Sequence, residues 1–307
     1  MTQDRAIQHR NACYKSRVGG IRDRIAAGRF VSVELLPPRS AVGREALAEA
    51  LSQLSPLAPA FVAVTYGAAG SDRGRTEALV EELTGTDALP LPHLTCAAHR
   101  RAELAELLDR YRSMGVDNLL ALHGDPPLAA DAPLPEGELR YAVELLRMAR
   151  DHGFGCVGVA VHPEGHPAAP SRQADLRHQA SKLGEADFGL TQFVNRAGDY
   201  FRFVDEMVRR GVHTPVVPGI RPIVNVRQAE RMASMSGAPI PVDLLAQLHA
   251  AEGDAERSRR IGVDHAVQVC RGLLDGGAPG LHFFTMNRAA ATLAVCEQLG
   301  WAGARLA

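Results

Sequence analysis

The run ELLDRYRSMGVDNLLALHGD, residues 106–125, carries the reading of the fold. Leu104, Leu107, Leu108 and Tyr111 recur at helical spacing and mark one apolar face. Gly115 follows, a residue suited to close a helix in the left-handed conformation. A short apolar run, Asn118–Leu122, comes next and stops at His123, Gly124 and Asp125, with Pro126 and Pro127 behind them. The same order recurs in ELLRMARDHGFGCVGVAVHPE around Gly153 and in FVDEMVRRGVHTPVVPGI around Gly211. It recurs again in CRGLLDGGAPGLHFFT around Gly276 and Gly277. An amphipathic helix, a tight turn and a buried strand, repeated in fixed order, is the pattern of parallel βα units.

Outward from that repeat, eight runs qualify as strands: Phe30–Leu36, Phe61–Thr65, Pro92–Cys96, Asn118–Leu122, Cys156–Val161, Gly189–Phe193, Pro215–Ile220 and Gly280–Phe284. Eight parallel strands in a chain of 307 residues favour a closed (β/α)8 barrel over an open sheet. An open dinucleotide-binding sheet would want G-x-G-x-x-G after the first strand, and VELLPPRS offers none. The expected organisation is one barrel domain over 1–307, with residues 1–28 as a helical extension. The long segment at about 221–279 should hold an extra helix or two between strands 7 and 8.

Hydrophobic residues make up 46% and charged residues 22%, with a net charge of −1, as in an ordinary globular enzyme. That balance speaks against nucleic-acid or membrane-surface binding through bulk charge. The start lacks the apolar core of a signal peptide, and no run approaches the roughly 18 apolar residues of a membrane span. The five cysteines are scattered, without C-x-x-C, as expected for reduced thiols in the cytoplasm. No regulatory extension is expected after the last helix, and the sequence carries no signature of an oligomeric state.

In such a barrel the chemistry gathers where strands end. The polar residues there are Glu34, Thr65, Thr95, His123, Asp125, His162, Glu164, His166, Gln192, Asn195, Arg221, Thr285, Asn287 and Arg288. This neutral-to-acidic ring suits a flat heterocycle with donors and acceptors on its edge, such as a pterin. Glu34, between Val33 and Leu35 in a strand buried on both faces, is costly unless it has a use. Asp125 could equally be a turn residue. Gln192, an amide in mid-strand, needs a partner. The histidines His93, His152 and His282 read as satisfied core or surface residues. His162 and His166 have metal-pair spacing, but Pro163 and Pro167 interrupt any helix that would stack them, so no metal is expected.

VSVELLPPRS resembles the F-x-F-E-F-F-P-P segment of methylenetetrahydrofolate reductases. FVAVTYGAAGSDRGRT, PHLTC, LLALHGDPP, HPEGHP with QADL, LTQF, PGIRPI and HFFTMNRA resemble further segments of that family, in the same order, from about Val31 to Gly300. The resemblance implies a (β/α)8 barrel that reduces 5,10-methylenetetrahydrofolate to the 5-methyl form, in one-carbon and methionine metabolism, with FAD and NADH or NADPH. It makes Glu34 the catalytic acid and Asp125, Gln192, Gln228 and Arg288 substrate-binding residues. Thr65, His93, His123, His162, Asp175, His178 and Lys182 fall at cofactor positions. The partners implied are small molecules.

The chain departs from the family pattern in one ligand's footprint. His123 stands where arginine is usual, His178 for asparagine, Ser181 for arginine and His162 for tyrosine; Lys182 remains. Near the other substrate, outside that footprint, Met232 stands for the family's aromatic that stacks on folate or nicotinamide and Phe284 for a tyrosine. Arginine grips phosphate as a fixed charged fork, and histidine near neutrality does not. These departures point to weak or absent FAD binding and to hydride passing directly from NADH; a conventional FAD enzyme is the alternative. A catalytically silent pterin-binding barrel is the other class of protein to weigh.

Overall fold

The computed structural model describes residues 20–67, 73–124 and 137–301. A short helix, α1 (Ile21–Ala27), precedes β1 (Phe30–Leu35). Then alternate α2 (Ala41–Leu54), β2 (Val62–Val64), α3 (Arg73–Thr84), β3 (Pro90–Thr95), α4 (Arg101–Ser113) and β4 (Asn118–Leu122). The second half runs α5 (Ala142–Asp151), β5 (Cys156–Val161), α6 (Arg172–Glu185), β6 (Phe188–Phe193), α7 (Ala197–Arg209) and β7 (Val216–Ile220). Three helices follow, α8 (Val226–Ser236), α9 (Val242–Ala250) and α10 (Ala255–Asp275), before β8 (Gly280–Phe284) and α11 (Ala290–Gln298).

The strands pair in chain order and all in parallel, and β8 returns to β1, closing a (β/α)8 barrel. The repeat read in the sequence is the repeat observed. Leu104, Leu107, Leu108 and Tyr111 are fully buried on α4, and Gly115 takes φ +81 where the helix stops. Gly153 and Gly211 do the same, while in the fourth repeat Gly277 rather than Gly276 is left-handed.

Period-two alternation divides the apolar residues into two layers. Val31, Val33 and Leu35 of β1 join the large cluster under the helices. Phe30, Phe61, Leu91, Leu120, Cys156 and Phe188 form the core inside the barrel, joined by Ile21 and Ile25 of α1. So α1 seals the end where the strands begin. Arg22 and Arg150 both reach the buried carboxylate of Asp187 there, and Arg24 donates to the carbonyl of Ala60 at 2.6 Å. The remaining residues of the expected N-terminal extension, 1–19, lie outside the described residues, as does Asp125.

With Val33 and Leu35 held outward, Glu34 must point inward. Thr285 Oγ1 donates to the Glu34 carbonyl at 2.7 Å, and the Asn287 side chain pairs with both the N–H and the carbonyl of Leu36. Met286 and Asn287 adopt left-handed φ of +52 and +56 to make that clamp. The end of β1 is therefore tied to the loop after β8.

Candidate active site

Glu34 is 9% exposed. Burial without a compensating cation pushes its carboxyl up to about 8, so it holds its proton at neutral pH. Its neighbour is His93 of β3, whose Nε2 lies 3.8 Å from Glu34 Oε2. Burial lowers His93 to about 4. The two groups could in principle form an ion pair, but desolvation outweighs their attraction, and the pair is neutral near pH 7.

Above His93 on the same strand, Thr95 Oγ1 is buried without a partner. Gly124 crosses directly over it with φ +93, and a Cβ there would come within 2.8 Å of the threonine Cβ. The glycine of His123-Gly124 is thus required by this close passage. The His123 side chain itself is exposed, while its carbonyl accepts from Ala97 N–H at 2.8 Å.

Across the mouth, Gln192 is the last residue but one of β6, half-buried, its Oε1 accepting from Phe193 N–H at 3.1 Å. Phe193 and Phe284 meet edge to face at 4.7 Å, and the Arg221 guanidinium lies 5.5 Å from the Phe193 ring centre. Two clefts open beside these aromatics. One is lined by Phe193, Asn195, Arg221 and Met232. The other is lined by His162, Glu164, Gln192 and Phe193. Glu164 is pushed up to about 7, mainly by burial, and its Oε2 has no partner.

The residues expected at a cofactor site divide. Asp175 of α6 is buried and accepts from Gln179 Nε2 at 2.7 Å and from Arg172 at 3.2 Å. Gln179 also exchanges two hydrogen bonds with the backbone of His162, at 2.6 and 3.0 Å, and so fastens α6 to the end of β5. Lys182 is pulled down to about 8 by burial, against the charge of Asp175. His162 is lowered to about 3 by burial, then by Lys182 and His166. His178 is exposed and stacks on Tyr141. Thr65 sits half-buried after β2. His93 lies apart from this group, against Glu34. Gln228 and Arg288 carry exposed side chains, with no bond to Glu34, His93 or Gln192 among the described residues.

As the flanking prolines predict, His162 and His166 share no helix turn; they lie in an irregular loop, where their rings meet edge to face at 4.7 Å. Among the described residues no three ligating side chains form a metal group. The expectation of satisfied histidines needs correction at two positions: His93 Nε2 and His282 Nε2 are buried without a partner, although His282 Nδ1 contacts Ser32 Oγ at 2.9 Å. Sequence reasoning missed Arg172 and Gln179. It also missed the inward direction of His93 and His282, which strand parity with the outward Leu94 and Phe283 would have given.

Fold and site together define a (β/α)8-barrel enzyme with a buried, protonated carboxyl at the mouth where the strands end. The family described as methylenetetrahydrofolate reductase matches residues 20–300. The 5,10-methylenetetrahydrofolate reductase of Pectobacterium carotovorum subsp. carotovorum is 35% identical over 274 residues, covering 88% of this chain and 90% of its own. That of Escherichia coli (strain K12) is 34% identical with the same coverage. The chain belongs to the methylenetetrahydrofolate reductase family. A Clostridium thermocellum protein, solved with two copies of 5-methyl-5,6,7,8-tetrahydrofolic acid, shares the fold. Its TM-score is 0.65 at 13% identity, over 92% of this chain and 99% of its own.

Proposed function

We propose that this protein reduces 5,10-methylenetetrahydrofolate to 5-methyltetrahydrofolate with NADH or NADPH as hydride donor. The observation that carries the reading is Glu34, a carboxyl kept protonated near neutrality at the barrel mouth. Proton transfer from Glu34 to N10 breaks the bond from N10 to the bridging carbon. The bridge becomes a cationic iminium on N5. A hydride then adds to that carbon, the nicotinamide leaves oxidised, and Glu34 is left as carboxylate until it regains a proton. Gln192 offers an amide that can bond the pterin edge in both senses. Asp125, Gln228 and Arg288 complete the proposed substrate contacts. A silent binding barrel has little use for a buried acid, so the catalytic reading is preferred.

FAD would bring a diphosphate, which needs fixed cations or converging donors. Among the described residues at the corresponding positions, Lys182 stands in a desolvated setting and His162 is neutral. Arg172 is already engaged by Asp175 and by the Pro163 carbonyl. Ser181, His123 and His178 offer no guanidinium. This set does not fit the group. We therefore read the enzyme as binding FAD weakly or not at all, with folate and dinucleotide bound together and hydride passing directly. That transfer requires donor and acceptor carbons about 3–3.5 Å apart.

Folate-dependent oxidation of NADH or NADPH by the purified protein tests the reaction; its absence with both would overturn it. The visible spectrum and initial-rate patterns test the route. Direct transfer predicts no flavin band and intersecting double-reciprocal lines. A stoichiometric flavin band with parallel lines would overturn direct transfer while leaving the reaction in place.

A further inference from the structure

Beneath Glu34 the barrel interior holds three polar side chains to which the proposed reaction gives no role: His93, His282 and Ser32. Ser32 Oγ lies 2.9 Å from His282 Nδ1 and donates to the Leu281 carbonyl at 3.4 Å. His282 Nε2 and His93 Nε2 are both buried without a partner. Opposite Glu34 the neighbouring strands present Ala63 and Phe284, and burial alone moves its proton affinity.

The floor of this compartment is closed. Phe30, Phe61 and Phe188 follow one another with ring centres 6.0 Å apart, and His282 stacks on Phe61. The buried histidines therefore have no polar outlet downward through which to feed protons to Glu34. Orientation is the role left to them.

We propose that His93 is a positioning residue for Glu34. Its Nε2–H is donated to Glu34 Oε2, so that the proton for the substrate sits on Oε1. The 3.8 Å separation closes to hydrogen-bond length when substrate fills the mouth. On reaction the Oε1–H bond breaks, the N10–H bond forms, and the His93 N–H stabilises the new carboxylate. The inference rests on Glu34 being the proton donor.

Three substitutions and one spectrum test it. His93→Leu should lower kcat about tenfold or more, with KM little changed, and move the alkaline limb of the kcat profile upward, since the carboxylate loses a donor. His93→Gln keeps an N–H and should hold kcat within about threefold of wild type with the limb in place. Nitrogen-15 NMR of the wild-type enzyme should find hydrogen on His93 Nε2. A wild-type kcat and pH limb in His93→Leu, or hydrogen on Nδ1 in the wild type, would overturn the proposal. If His93→Leu does not fold, the NMR result and His93→Gln still decide. Glu34→Gln separates the two levels. If it is inactive while His93→Leu is normal, only this inference fails; if it is fully active, the acid assignment fails as well.

Discussion

Glu34 keeps its proton because nothing near it is charged and little water reaches it. Removing that proton donor, as in Glu34→Gln, should lower kcat by about 10²-fold or more in steady-state assays. With the acid required in protonated form, activity should fall as pH rises through about 8. The same shift has a stability sign. The folded chain holds this proton between pH 4.5 and about 8, where the unfolded chain has lost it. The contribution is complete below 4.5 and lost as pH rises through about 8. Glu34→Gln should therefore melt a few degrees above wild type at pH 8.5 and show little difference at pH 4.5, by differential scanning calorimetry. At this scale the sequence was informative about Glu34, because a carboxylate between two apolar residues of a strand buried on both faces carries a desolvation cost that marks it out. It was silent about His93, since a histidine carries no visible penalty in a sequence pattern.

At the scale of elements, helix, glycine turn and strand repeat in a regular order along the chain, and α4 buries the four residues its spacing predicts. The strands nevertheless differ in what they place inside. β7 puts Gly219 against the barrel mouth, where a Cβ would come within 2.4 Å of the Phe284 ring and 2.6 Å of the Thr191 carbonyl. Gly219→Ala should push Phe284 off Phe193, cost about 1–3 kcal/mol by chemical denaturation and raise KM for folate. The need for glycine there depends on two neighbouring strands, β6 and β8, and cannot be read from β7 alone. Helix α6 gives a second case. Asp175 and Lys182 are visible in the sequence as polar positions, but the Gln179 bridge that holds α6 to His162 depends on the path of an irregular loop.

For the whole molecule, the buried ionisable groups set opposing pH dependences. His93 is lowered from 6.5 to about 4, and His162 and His282 to about 3. Their contributions are present above 6.5 and lost as pH falls through 4 to 3, because the unfolded chain takes up those protons first. Glu34 and Glu164 act in the other sense between 4.5 and their raised values of about 8 and about 7. Below 6.5 these three histidines, with His99 and His265 lowered by burial in the same sense, outweigh the two carboxyls, and from there to about 8 the carboxyls act. Stability should peak near pH 6.5, and denaturant midpoints measured from pH 4 to 8 should trace that maximum. A profile rising steadily to pH 8 would contradict the neutral-histidine interior. The described cysteines, Cys96, Cys156, Cys270 and Cys296, are buried and free, with thiols raised by burial, so they stay out of this balance.

The sequence by itself determined the eightfold order of helix, turn and strand, the family, and the presence of a buried carboxyl at Glu34. These rest on local periodicity and on motifs that need no distant partner. Only the tertiary structure decided which polar groups share the closed interior and which stay at the rim. Strands far apart in the chain bring His93 and His282 into one desolvated space, while Arg172 is turned from a free cation into a partner of Asp175. Desolvation and pairing are properties of three-dimensional neighbours, and neighbours across a barrel leave no mark on adjacent letters.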